Sequence, residues 1–255
     1  MQSFSLTTVC VGKPYIDYFQ KIIKSYGNLN LPDSTIMYVN TNHVDYCEEK
    51  LKDAPVKVII NDFSSQLDYY KIHESDYRDN DCIKVKAFTH ALDADINDLL
   101  FYVDADMEAH LYDEEMFDKV FDQEGFYYEL AHYYEKEEDI EEHTFKRIRQ
   151  IRELNWKKLS FLKGKEKNVG DEKIIFPIER FWGMKRTFCA KELKFAKEFD
   201  DLFEKMIEGG LRNDLYTECV EIGHCFSKFF KKNKMMDQGL MFIETAGPEP
   251  GSNKC

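Results

Sequence analysis

Five consecutive apolar residues, Leu99-Leu100-Phe101-Tyr102-Val103, run straight into Asp104-Ala105-Asp106. A run this short and unalternated is the pattern of a strand buried on both faces, at the centre of a sheet covered by helices. The rest of the first half supplies the other layers. Leu6-Thr7-Thr8-Val9-Cys10-Val11 reads as a first strand stopped by Gly12-Lys13-Pro14. Tyr15, Ile16, Phe19, Ile22, Ile23 and Tyr26 then recur at helical spacing. Ile36 to Asn40 and Val56 to Ile60 read as strands, with a short helix over 44–52 between them. Residues 82–93 carry Ile83, Val85, Phe88, Ala91 and Leu92, a helix packed on a sheet. This alternation predicts an α/β fold with a mostly parallel central sheet flanked by helices and joined by right-handed crossovers. Ligands of such sheets bind at the carboxyl ends of the strands.

The second half changes character. Gly125 to Tyr134 reads as a strand, and Ile174 to Phe176 and Arg180 to Met184 as further sheet. Between them, acids over 135–142 and bases over 146–167 predict a charged helical excursion at 135–167, either a helical hairpin or a mobile flap, with solvated helix faces as the plainer reading. Ala190 to Ile207 reads as one amphipathic helix, with Leu193, Ala196, Phe199, Leu202, Phe203 and Met206 on one face and Gly209-Gly210 as its stop. Another helix is expected over 214–230. One domain over 1–245 and a flexible tail over 246–255 complete the layout.

Composition narrows the function classes. A net charge of −13 on 255 residues argues against nucleic-acid coating and against adhesion to anionic membrane. No uncharged stretch approaches the twenty or so residues that span a bilayer, and residues 1–13 lack a basic, leader-like start. The expectation is a cytoplasmic enzyme without a transmembrane segment. The seven cysteines include no Cys-x-x-Cys pair, which fits reduced thiols and disfavours structural zinc. A P-loop, a Gly-x-Gly-x-x-Gly turn after the first strand and a Gly-x-Ser-x-Gly elbow are all missing.

Chemistry concentrates where the central strand ends. Asp104 and Asp106, separated by the small Ala105, can converge on one hard cation, Mg²⁺ or Mn²⁺, which prefers oxygen ligands and brings a diphosphate with it. A turn pair is the alternative reading. Asp79-Asn80-Asp81 and Asp93-Ala94-Asp95 share the spacing, but neither follows an apolar strand, so both are read as solvated acids.

A strand–helix–strand opening, a Lys-bearing helix and an apolar strand ending in Asp104-Ala105-Asp106 together resemble the nucleotide-sugar glycosyltransferases of the Rossmann-like GT-A fold, over residues 4–243. Later features resemble the retaining family 6 enzymes, the blood-group-type galactosyl- and N-acetylgalactosaminyltransferases. Val9 to Lys13 matches their first strand and turn, Ala131-His132 their Leu-His pair, and Phe181-Trp182-Gly183-Met184 their aromatic–glycine strand. Asp214 to Glu221 falls on their Trp-His-Asp-Glu segment, where Glu218 alone keeps a matching position.

The resemblance implies a metal-dependent transferase moving a sugar from a UDP-sugar, or a GDP-sugar, to a glycan hydroxyl with retention. Asp104 and Asp106 would hold Mn²⁺ or Mg²⁺. Val11, Gly12, Lys13, Tyr15, Lys86 and Asp104 would bind the donor, with Lys84 beside Lys86. Arg180 and Lys185 could meet phosphate or acceptor. His132 and Trp182 would face the acceptor, and His224 could be a third metal ligand. Glu218 would be the catalytic carboxylate together with Asp104, with Asp214 and Glu221 as neighbours able to substitute. Glu218 stands one turn before Ile222 on a helix that also carries Phe226, Phe229 and Phe230, so it shares the inward side, where an acid is costly without a partner. Residue by residue, blander roles stay open: core aromatics at Tyr15 and Trp182, solvated lysines, a structural His132, a surface Glu218. The rival functions are an inverting transferase, a nucleotidyltransferase on the same type of sheet, and a non-enzymatic scaffold acting through 135–167. The expected setting is a bacterial, phage or viral-host cytosol.

Overall fold

The computed structural model describes residues 3–29, 31–70, 82–94, 96–110, 115, 118, 121, 124–134, 174–193, 195–206, 230, 232–236 and 242–244. The charged excursion at 135–167, the Asp79-Asn80-Asp81 run, the helix expected over 214–230 apart from Phe230, and the tail at 246–255 lie outside the described residues.

The expected alternation is present. Strand β1 (Phe4–Cys10) leads into α1 (Lys13–Ile22), which tightens into a 3-10 segment (Ile23–Asn28). Then come β2 (Ile36–Thr41), α2 (Val44–Leu51), β3 (Lys57–Asp62), α3 (Ser64–Tyr70), α4 (Cys82–Leu92) and β4 (Leu99–Val103). Short β5 (Met107–Ala109) and long β6 (Phe126–Tyr134) and β7 (Ile174–Lys185) follow, then α5 (Arg186–Glu192), α6 (Phe195–Met206), β8 (Asn233–Met236) and β9 (Phe242–Glu244).

Seven strands form one sheet in the order β3-β2-β1-β4-β7-β6-β8, and β5 pairs with β9 in a second, two-stranded sheet. β1, β2, β3 and β4 are mutually parallel, whereas β7 runs antiparallel to both β4 and β6. The fully apolar β4 therefore occupies the middle of the sheet, as its composition requires.

Alternation along β1 assigns the two faces. Phe4, Leu6 and Cys10 join a core with Ile16, Phe19 and Ile22 of α1, Cys47 and Leu51 of α2, and Leu99, Phe101 and Val103 of β4. Thr7 points the other way, and its hydroxyl meets the Ala87 carbonyl of α4 at 3.4 Å. On that face a polar chain crosses three strands: Asn61 Nδ2 donates to Asn40 Oδ1 at 2.9 Å, and Asn40 Nδ2 donates to Thr7 Oγ1 at 3.0 Å. Cys10, Cys47 and Cys189 are buried free thiols, and burial pushes Cys47 and Cys189 up to about 12.

The amino end of β4 is anchored by polar bonds. Asn97 Nδ2 donates to the Phe4 carbonyl at 2.8 Å, to Ser5 Oγ at 3.1 Å and to the Ser34 carbonyl at 2.7 Å, and its backbone N–H reaches Ser5 Oγ at 3.0 Å. Arg186 joins the same end, bonding the Leu92 carbonyl at 2.8 Å and the Ile96 carbonyl at 3.0 Å.

Two expectations are corrected. The helix read as continuous from Ala190 to Ile207 is two helices, broken at Leu193, whose backbone is extended (φ −142°, ψ 155°). Its N–H closes α5 onto the Cys189 carbonyl at 2.7 Å, and its side chain is nonetheless buried. It thus fills a place in the helical stripe without being helical. The two segments read at 174–176 and 180–184 are one strand, β7, which runs through Pro177. Proline cannot donate to a ladder, and the β6–β7 register shifts on either side of its partner Leu130.

Candidate functional site

From β1 the chain winds outward through β2 to β3, then returns to place β4 on the other side of β1. The gap between the carboxyl ends of β1 and β4 is therefore a topological switch point, where open α/β sheets hold their ligands. Each of these two strand ends carries a turn. After β1, Gly12 adopts φ 83° and ψ 147°, a conformation open essentially to glycine alone, and serves as the N-cap of α1. Its N–H donates to Asn42 Oδ1 at 2.9 Å, tying this turn to the one after β2. After β4, the Met107 N–H closes on the Asp104 carbonyl at 3.1 Å, so the two acids sit on a tight turn with Ala105 buried between them.

The Asp104 carboxylate is held at both oxygens. Lys84 Nζ of α4 lies 2.9 Å from Oδ2, and the Tyr102 hydroxyl donates to Oδ1 at 2.6 Å. The side chains of Lys84 and Asp104 are 16% and 17% exposed, so this pair is far less screened than a surface one. Tyr102 is in turn stacked on Trp182, with ring centroids 5.7 Å apart and planes 25° apart.

Lys84, rather than Lys86, is the α4 lysine at Asp104. Lys86 has a 6% exposed side chain and is paired with Asp200 and Glu204 of α6, the latter at 2.8 Å. It pins α6 onto α4. The two acids are partly exposed, which keeps the cost of losing the pair modest. Lys86→Met is expected to destabilise by about 1–2 kcal/mol, seen as a melting temperature lowered by roughly 3–8 °C. An unchanged melting temperature with weakened UDP binding would return Lys86 to the donor site.

Trp182 is also relocated. It is 5% exposed, with Phe88 at 4.6 Å and Phe126 at 6.0 Å between ring centroids in addition to Tyr102. A ring covered this way presents no face to an acceptor sugar; it supports Tyr102 from inside the core. Tyr15 belongs to the buried face of α1 with Ile16, Phe19 and Ile22, and Val11 is buried at the base of the Gly12 turn. Lys13 is exposed, with its ammonium 5.1 Å from the Tyr46 ring centroid. Lys185 pairs with Leu99, at the end of β4 away from the acids, which removes it from the phosphate set. Phe181 pairs with Val103 beside Asp104, so Arg180 follows at the acid-bearing end. His132 pairs with Phe176, on the part of β6 and β7 that overhangs the carboxyl end of β4. Glu218, Asp214, Glu221 and His224 lie outside the described residues.

Tyr102 and Asn42 were not among the sequence candidates. Tyr102 carries a usable signal, since it stands two residues before Asp104 and shares its face of the strand. Asn42 carries none, because its role depends on β1 and β2 being neighbours.

The donor set suits a hard divalent cation. Among the described residues no group of three or more His, Cys, Asp or Glu side chains gathers. Magnesium and its analogues are commonly held by one or two carboxylates, with substrate phosphates and water completing the shell. Asp104 and Asp106 at a partly exposed strand end meet that description. No helix among the described residues is long and apolar enough to cross a membrane. No protein-family model matches the chain, and no curated protein matches it.

Proposed function

We propose that this chain is a metal-dependent glycosyltransferase of the GT-A type, moving a sugar from a UDP-sugar, or a GDP-sugar, to a glycan hydroxyl with retention. The observation that carries this reading is the acid pair Asp104 and Asp106 on the turn after the central strand, beside the Gly12 turn and flanked by Lys84. Asp104 and Asp106 would hold Mn²⁺ or Mg²⁺, and the cation would supply positive charge against a leaving diphosphate. The Gly12-Lys13 turn receives the nucleotide, and the overhang bearing His132 faces the acceptor. Glu218 is the proposed carboxylate beneath the anomeric carbon, where it would stabilise an oxocarbenium-like transition state.

The test is thermal stability with nucleotides. UDP with Mn²⁺, at about a hundred times its dissociation constant, adds roughly 2.7 kcal/mol and raises the melting temperature by about 5–10 °C; either component alone does much less. Stabilisation by nucleoside triphosphates with pyrophosphate release would assign nucleotidyl transfer instead. No response to any nucleotide would remove the enzymatic reading and favour a binding scaffold.

A further inference from the structure

An acid that is to receive a divalent cation is here already neutralised. Lys84 Nζ sits 2.9 Å from Asp104 Oδ2, the Tyr102 hydroxyl fills Oδ1 at 2.6 Å, and both charged side chains are largely enclosed. Resting on the reading of Asp104 as a metal ligand, we propose that Lys84 is the resident counter-cation of the site and changes partner when the nucleotide arrives. The ammonium leaves Asp104 for the diphosphate while the metal takes its place on the carboxylate.

The electrostatics make the two events depend on each other. A bare divalent cation at Asp104 would displace a lysine that is only 16% exposed and leave two cations facing each other in a weakly screened setting. That opposes metal binding alone. A diphosphate brings its own negative charge, offers the displaced ammonium an anion and ligates the metal, so the added positive charge is matched as the two arrive together. Lys86 cannot take this part, because Asp200 and Glu204 hold it on α6. Metal and nucleotide must then bind with positive coupling, and by linkage each tightens the other by the same factor. The 5.9 Å from Lys84 Nζ to the Tyr102 ring centroid keeps the ammonium over an aromatic face near the acid.

The full-length chain tests this by electron paramagnetic resonance of free Mn²⁺, titrated with and without UDP, with the Mn²⁺ held by UDP alone measured in protein-free titrations and subtracted. In the wild type, Mn²⁺ alone binds weakly and saturating UDP tightens it by roughly 5- to 150-fold, the usual range of a coupling between two sites. In Lys84→Met the competitor is gone, so Mn²⁺ alone binds about tenfold tighter or more, and the effect of UDP shrinks by a similar factor to what its direct ligation of the metal supplies. Lys84→Gln, a milder change in packing, shifts both quantities the same way, and Lys84→Arg keeps the wild-type coupling. Asp104→Asn loses Mn²⁺ uptake in the wild-type and Lys84→Met backgrounds alike. Equal Mn²⁺ affinity in the wild type and both neutral variants, or tight wild-type binding that UDP does not improve, would overturn the exchange and leave the metal site standing. No Mn²⁺ uptake by any of the proteins, with or without UDP, would overturn the metal site and the exchange together.

Discussion

Asp106→Asn should remove Mn²⁺-dependent sugar transfer, lowering turnover on the order of 10³-fold, while the protein melts as before. The two halves of this expectation rest on different observations. The loss follows from chemistry: an amide is nearly the size of a carboxylate but carries no charge, and a hard divalent cation draws most of its affinity from charged oxygens. Retention of the fold follows from the backbone. Ala105 is buried just before Asp106, the Met107 N–H bonds to the Asp104 carbonyl, and the Met107 carbonyl accepts from the Tyr26 hydroxyl at 3.4 Å. The Ala109 N–H donates to Ser25 Oγ at 2.9 Å, and β5 pairs with β9. These bonds run through the backbone around Asp106, and an amide keeps the size and hydrogen-bonding reach of the carboxylate, so the turn stays in place. The measurement is transfer from radiolabelled UDP-sugars alongside a circular-dichroism melt; full activity in the variant would sink the metal assignment. Asp104→Asn is a poorer probe, because it also strips Lys84 of a partner at 2.9 Å and so changes stability and chemistry together.

The largest expected loss of stability is at Gly183. This residue pairs with Phe101 on one side and Tyr127 on the other, near the carboxyl end of β7, where that strand lies between β4 and β6. A β-carbon there would stand 2.2 Å from the Leu100 carbonyl oxygen and 2.7 Å from the Phe101 α-carbon. Both are backbone atoms, which no rotamer change can move aside. β7 must part from β4, at the cost of ladder bonds and of the packing of Phe101 against Phe181 and Phe121. Gly183→Ala is expected to destabilise by about 3–5 kcal/mol, at or above the usual cost of overpacking, lowering the melting temperature by roughly 10 °C or more. A calorimetric scan measures it; a shift under about 2 °C would mean that the two strands separate freely there. The same displacement acts on β4 just before Asp104, so a surviving fraction of the variant should bind UDP with Mn²⁺ poorly as well.

The first half of the fold was legible because each layer declares itself locally. Leu99 to Val103 carries no charged residue and no side-chain polar group but the Tyr102 hydroxyl, and the observed strand has the same limits. The amphipathic period of α1 likewise shows in Tyr15, Ile16, Phe19 and Ile22. What was not legible depends on distant partners. β5 has three residues and exists as a strand because β9 meets it. Leu193 fits a helical stripe whether or not the helix is interrupted, since burial and not period places it there. The choice between Lys84 and Lys86 is of the same kind. Two residues apart on one helix, they diverge by roughly 200° around its axis, and only the positions of β4 and α6 decide which meets Asp104. The Asp104-Ala105-Asp106 pair was found because strand end and acid spacing are both local, whereas Tyr102 and Trp182 became supporting residues through the sheet order.

The Asn97 bonds at the far end of β4 govern how faithfully the site is assembled. Side chains on a strand alternate, so sliding β4 along β1 by one residue would present Val103 to α4 and turn Asp104 toward the opposite layer. Apolar contacts tolerate such a slip better than a fan of hydrogen bonds does, and the five residues of β4 are all apolar. Asn97 spans the starts of three strands by meeting Phe4, Ser5 and the residue two before Ile36. It permits one alignment and leaves its own amide and two carbonyls unmatched in any other. Seven residues, about 23 Å of extended chain, separate this alignment mark from the carboxylate whose direction it determines. A residue with no part in binding thus decides whether Lys84 finds an acid or a valine when α4 docks.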